Sequence, residues 1–281
     1  MTLIPSKKQW NGWSLPSKMT AIGFYIAIIP FIFSVISYLT LTAKQYLAEQ
    51  ISIKSVTLSP SDIKKQTGMT LAAKEADIQI NYPTIDYLLP NDFLKRINNE
   101  LKENVISYLT DNLLEYRVDY EIGLTSKNII SLRVDQYYYY EGAANGNNSQ
   151  FSINIDPQNQ RTIDFFDIFD ARRNALNEIK EIIAYKITDV CEYGLFTDKL
   201  EKASFIPRFV ITPSAIHFIF SEYEITPGVC NGVTVSIGYD ELIGYIRNDG
   251  PLGELKPQSG SWAAGEHFVD SMMGHMKKMS E

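Results

Sequence analysis

Two pairs of carboxylates stand at spacings that could do chemistry. Glu222 and Glu224 in "FSEYEITPG" alternate at the end of an apolar run, so an extended backbone points both to one face. Two carboxylates on one face can act as general acid and general base in glycoside cleavage. Asp164 and Asp167 in "DFFDIFD" have the spacing of an acid pair or a metal couple. Each pattern also has a plainer source. A solvated strand edge accounts for the glutamates, and an acidic turn before a helix capped by Asp170 accounts for the aspartates. Catalysis further requires a nucleophile with its base, or a metal set. His217, His267 and His275 are far apart, and no CxxC, HExxH or His-rich cluster occurs. His217, between apolar neighbours in "AIHFIF", reads as structural. We therefore assign no catalytic residue, metal or cofactor. A cell-wall hydrolase using Glu222, Glu224 or Asp167 as acid or base is the second reading.

Residues suited to recognition are more conspicuous. "QYYYYEGAANGNNSQF" runs four tyrosines into a Gly/Ala/Asn loop. Alternation in the strand that precedes it sets Leu132, Val134, Gln136, Tyr138 and Tyr140 on one face and Ser131, Arg133, Asp135, Tyr137 and Tyr139 on the other. The first set reads as the core side. The second leaves Tyr137 and Tyr139 to meet a ligand, with Asn145, Asn147 and Asn148 as adaptable hydrogen-bonding groups. A second loop, Glu222–Asn231, adds Tyr223, Glu224 and Pro227. Glu141, Glu222 and Glu224 would attract a basic ligand.

Several elements must hold these loops. "DIQINYP" alternates like a strand within an extended stretch over 69–83. Asn91 caps a helix whose stripe is Leu94, Ile97, Leu101, Val105 and Tyr108. "EYRVDYEIGL" and "NIISLRVDQYYYY" pair through the turn Thr125–Asn128. A second helix opens at Asp170, with Leu176, Ile179, Ile183, Ile187 and Val190 on one face. Two short strands break at Thr212–Pro213, and another strand leads into a short helix near Asp240. Blocks of strands and helices with hairpins predict an α+β fold with largely antiparallel sheet and two amphipathic helices. Cys191 and Cys230 could form a disulfide outside the cytoplasm.

Met19–Ala43 carries no charge, and about 20 apolar helical residues span a bilayer core. The same stretch predicts a transmembrane helix, with Pro30 as a kink. Lys7, Lys8 and Lys18 precede it without an acid, which places the N-terminus in the cytoplasm of a bacterial inner membrane and the bulk of the chain outside. The expected divisions are a cytoplasmic stub (1–18), the span (19–43), a linker or first edge strand (44–67), a smaller α+β unit (68–125), a sensor-like α+β domain (126–250) and a loose tail (251–281). The two α+β units could be two lobes or one composite domain. Net charge is −7, and residues 1–44 hold four lysines and no acid, so the remainder is more acidic than the whole. That argues against nucleic acid, which selects basic surfaces.

The order of motifs resembles the extracytoplasmic domain of the lysozyme-sensing anti-sigma factors, a domain also found beside peptidoglycan deacetylases and in uncharacterised periplasmic proteins. The matching residues are Tyr138–Tyr140, Gly142–Ala143, Asp167–Ile168–Phe169, Tyr223–Glu224–Ile225, Pro227, Gly232 and Tyr239–Asp240–Glu241–Leu242. Ala144 or Asn145 stands where the family has a loop histidine, and Gly228 where an aromatic often follows the proline. The resemblance implies a membrane-anchored module that binds a protein or a cell-wall glycan in the envelope, a basic muramidase being the family's ligand.

Overall fold

The computed structural model describes residues 6–48, 51–67, 76–87 and 91–253. The expected loose tail lies outside the described residues beyond Gly253, as does the 69–75 part of the extended segment. The chain divides into two units. The first holds α1 (Lys7–Gly12) and α2 (Leu15–Ala48). Within α2, Leu15–Thr40 is long and apolar enough to cross a membrane. The helix continues through Pro30, a residue that membrane helices tolerate inside their length.

The second unit takes Ser52–Asp86 and the described residues beyond Pro90. Residues on both sides of position 125 therefore belong to one composite unit. It is α+β. A six-stranded sheet runs in the order β1 (Ile51–Thr57), β2 (Asp77–Tyr87), β3 (Leu113–Thr125), β4 (Ile130–Tyr140), β5 (Asn147–Asp156) and β6 (Arg161–Thr162). The 44–67 stretch is thus no linker throughout. Its β1 takes the edge of the sheet and is followed by α3 (Pro60–Thr67). β2 and β3 are parallel, and the β3–β4 and β4–β5 pairs are antiparallel.

One face of this sheet is covered by α4 (Asp92–Ile106), which buries Phe93, Leu94, Ile97, Leu101 and Val105. The side chain of Asn91 accepts from the Leu94 amide at 3.1 Å, the N-cap its sequence position predicts. Polar ties fix the helix to the strands. Asn98 accepts from the Ile85 amide and donates to the Ile85 carbonyl, at 2.7 and 2.9 Å. Tyr116 Oη donates to the Val105 carbonyl at 2.5 Å, and Gln136 Nε2 donates to Tyr116 Oη at 2.7 Å. Gln136 is therefore a satisfied polar residue on the core side.

The second sheet is β7 (Arg208–Ile211), β8 (Ala215–Phe220) and β9 (Val233–Gly238), all antiparallel. With α5 (Phe165–Ile168) and α6 (Ala175–Lys186) it forms a core of Phe165, Phe169, Ile179, Ile183, Phe218, Phe220 and Ile237. The second helix starts later than its sequence signal. Asp170 caps a single 3₁₀ turn, Asn174 takes a left-handed conformation at φ 54°, and α6 follows from Ala175. Val190, expected on the apolar face, is exposed after the helix ends. α7 (Thr197–Leu200) and α8 (Tyr239–Leu242) complete the unit.

The two sheets meet through a buried polar knot. Ser131 Oγ donates to Asn154 Oδ1 at 2.6 Å and accepts from the Ile211 amide at 2.7 Å. Asn154 Nδ2 donates to the Phe209 carbonyl at 2.8 Å. The second alternating set of β4 is therefore not open along its length. Its Ser131 end is covered by β7, while Arg133, Asp135, Tyr137 and Tyr139 stay partly accessible.

Candidate ligand-binding site

The two loops singled out by sequence lie side by side. Glu222 donates its amide to the Asn148 carbonyl at 2.9 Å, and its carboxylate accepts from the Asn148 amide at 2.8 Å. Beside it, the Gln150 amide donates to Ser221 Oγ at 2.9 Å. This seam ties the start of β5 to the turn after β8. Asn148 is also the ladder partner of Tyr137. Tyr137, Asn148 and Glu222 thus form one continuous rim drawn from three separated stretches of chain.

The tyrosines divide as their alternation predicts. Tyr138 stacks on Tyr108 with ring centroids 4.4 Å apart, and Tyr140 Oη donates to the Tyr108 carbonyl at 3.0 Å. Burial, aided by neighbouring Tyr108, pushes the Tyr138 pKa up to about 12. Tyr137 and Tyr139 are half-buried on the other face. Tyr139 Oη reaches back to the Ala143 carbonyl of its own loop at 3.2 Å. The ring of Tyr137 lies on Gly146, where any side chain would collide with it. Tyr223 is exposed and packs on Gly228 in the same manner. It holds φ at 61°, the left-handed region that non-glycine residues rarely occupy. Asn145 and Glu141 stand exposed in the hairpin loop, while Asn147 is half-buried opposite Tyr138. Pro227 opens the 3₁₀ turn Gly228–Cys230, and Cys230 is joined to Cys191 by a disulfide.

Of the two acidic pairs, Glu222, Glu224 and Asp167 each engage their carboxylates in local structural contacts. Residues 221–225 are a turn and not a strand end, so Glu222 and Glu224 do not share a strand face. Glu224 accepts from the Ser221 amide at 2.7 Å and pairs with Arg208, while Glu222 serves the seam. Asp167 accepts from the Asp164 amide at 2.8 Å and pairs with Arg161 at 2.8 Å, the acidic turn of the plainer reading. Among the described residues no group of three or more His, Cys, Asp or Glu is placed to hold a metal. His217 sits half-buried on β8, its pKa lowered by burial and by Arg133.

Beside the rim, the open end of the sheet's outward face forms a groove of about 290 Å³. It is lined by Gln79 and Asn81 of β2, Arg117 and Asp119 of β3, Asp135 and Tyr137 of β4, and Asn148 and Gln150 of β5. Asp119 and Asp135 are direct cross-strand partners. Burial raises the Asp135 pKa, the Arg133 guanidinium at 3.0 Å lowers it, and Glu121 and Asp119 raise it further. Of these lining residues, sequence reasoning singled out Tyr137 and Asn148. The alternation of Gln79 with Ile80 and of Arg117 and Asp119 with Val118 carried the signal for the others, but only strand order shows that they converge.

The chain has the fold of a DUF3298-family protein. A crystal structure of a member of that family from Bacteroides fragilis superposes with a TM-score of 0.51 at 15% identity, covering 75% of this chain and 99% of that one. A DUF3298-family protein from Pseudomonas aeruginosa gives a TM-score of 0.49 at 13% identity, with the same coverages. At this identity the likeness is one of fold. Neither family models nor curated protein sequences give a match.

Proposed function

We propose that the chain is a membrane-tethered extracytoplasmic binding or sensing protein whose ligand is a component of the bacterial envelope, either a basic muramidase or a cell-wall glycan. The observation that carries this reading is the seam. Asn148 and Glu222 join two loops rich in tyrosine, asparagine and glycine into one rim, the composition of a surface built to recognise a partner. The disulfide Cys191–Cys230 suits an oxidising compartment. Lysines 7, 8 and 18 ahead of the apolar helix favour an N-terminus in the cytoplasm of the inner membrane. The order of motifs shared with the lysozyme-sensing domains favours the muramidase, and so does the acidic character of the chain beyond residue 44.

The test is capture by the full-length protein in detergent, with lysozyme and soluble peptidoglycan fragments offered separately. One of the two should bind, and Glu222→Ala or Tyr223→Ala should weaken it about tenfold, the effect of losing about 1.4 kcal/mol. Capture that ignores both substitutions would remove the rim from the binding site. Turnover of labelled peptidoglycan, abolished by Glu224→Gln, would favour the hydrolase instead.

A further inference from the structure

We propose that the groove on the open end of the six-stranded sheet is a saccharide-binding site, taking one or two sugar rings with free neighbouring hydroxyls. The inference rests on the binding reading above and names the ligand class of the sheet face beside the rim.

The lining chemistry selects the ligand. Gln79, Asn81 and Gln150 each carry an amide, which offers a donor and an acceptor together. Asp119 and Asp135 offer paired acceptors from opposite positions of adjacent strands. A sugar diol, with two hydroxyls that both donate and accept, meets such a set of groups. Val118 is buried on the opposite face of β3, so the groove face presents no aliphatic side chain and an apolar ligand has little to bury against. An anion is disfavoured as well. The groove's cation, Arg117, is already paired with Glu115 at 2.6 Å and Asp77 at 3.3 Å, and the two aspartates repel negative charge.

Two further features point to an occupant. The side-chain oxygen of Gln150 is buried with no hydrogen-bond donor. A buried acceptor without a donor is costly, and a ligand hydroxyl would supply one. Tyr137 adds an aromatic ring held against Gly146. A fixed ring is a low-entropy platform for the C–H face of a pyranose. The groups sit on four adjacent strands, which hold them more rigidly than loops would. The volume of about 290 Å³ matches a small ligand.

The experiment titrates the full-length protein, in a detergent free of sugar head groups, with chitotriose, cellotriose, maltotriose and trilysine, read by calorimetry and ligand-observed NMR. At least one trisaccharide should bind. Tyr137→Leu, Gln150→Ala and Asp119→Asn should each weaken it about tenfold or more, and Tyr137→Phe should retain it. Asp119 is exposed, so its variant tests the groove even where the others unfold. Tyr185→Ala, at an exposed position of α6, should leave saccharide binding unchanged. Absence of binding by all three sugars, sugar binding indifferent to the groove variants, or groove-dependent binding of trilysine would each overturn the inference. Lysozyme capture that depends on Tyr223 without any sugar signal would sink the groove and spare the rim. Failure of lysozyme, peptidoglycan fragments and trisaccharides together would sink both.

Discussion

Asn148 and Glu222, 74 residues apart in sequence, exchange two hydrogen bonds: amide to carboxylate at 2.8 Å in one direction and amide to carbonyl at 2.9 Å in the other. The Asn148 side-chain amide adds a third contact to the same carboxylate oxygen at 3.3 Å. One side chain therefore extends the β5 edge into the turn that follows β8.

Replacing Glu222 by alanine should remove the charged acceptor and leave the Asn148 amide to water. Hydrogen bonds to charged groups contribute about 1.5–3 kcal/mol, and partial exposure puts this one at the lower end. We expect a loss of about 1–2 kcal/mol in denaturant titration, with faster amide exchange at 147–150 and 221–224 and none in α6. Glu222→Gln, which keeps an acceptor, should recover about half. Uniform loss of protection across the unit would show that the seam is not a local fastening.

Glu224 and Arg208 form a second fastening beneath the first. Arg208 Nη2 also donates to Ser221 Oγ at 3.1 Å, and Glu224 accepts from the Ser221 amide. The pair is half-buried, so its coupling should exceed that of an exposed ion pair. A double-mutant cycle over Glu224→Gln and Arg208→Ala should give a coupling of about 1 kcal/mol. A cycle that closes to zero would mean the two side chains act independently.

Much of this architecture follows from patterns visible in the chain. Period-3.6 spacing from Leu94 to Val105 located α4, with Asn91 as its cap, because one apolar stripe suffices to specify a half-buried helix. Period-2 spacing split the four tyrosines correctly between the two faces, which fixed Tyr138 against Tyr108. What failed was reading beyond one element. Glu222 and Glu224 look like strand neighbours until the Ser221–Glu224 turn, with Tyr223 left-handed, separates their carboxylates. Ser131 looks solvent-facing until β7 crosses it. The groove needs β2 laid parallel to β3, and the 25 residues between Tyr87 and Leu113 leave no local mark of that register. Side-chain period is a property of one strand, whereas a site is a property of strand order.

Acidity should distinguish Asp135 from its neighbours. Burial holds its pKa above the usual value despite the Arg133 pair. A carboxyl whose folded pKa is raised contributes stability that is fully present below its unfolded pKa of about 3.9 and lost as pH rises through the folded value. At neutral pH the ionised group is therefore a net cost, increased by Asp119 directly opposite. Asp135→Asn should unfold at a higher temperature than the parent at about pH 7, with the gap closing as pH falls below about 4. A parent more stable than the variant at neutral pH would reverse the assignment and make the Arg133 pair dominant.

The disulfide should matter beyond its own two residues. Cys191 is buried in the second core just past α6, and Cys230 ends the turn that carries Pro227 and Gly228. Crosslinking residues 39 apart removes unfolded-state freedom, which loop-closure reasoning puts at about 4 kcal/mol as an upper value. For a unit of this size, each kcal/mol moves the melting temperature by about 2–4 °C, so replacing both cysteines by alanine should lower it by about 10 °C. The second loop is held at one end by the disulfide and at the other by Asn148. Cutting the disulfide should therefore raise amide exchange across 226–231 while the Glu222 end keeps its protection. Exchange that rises equally at 221–224 would show that the disulfide, and not the Asn148 seam, sets the position of the whole loop. An unchanged melting temperature would show that the core around Cys191 carries the closure without the bond.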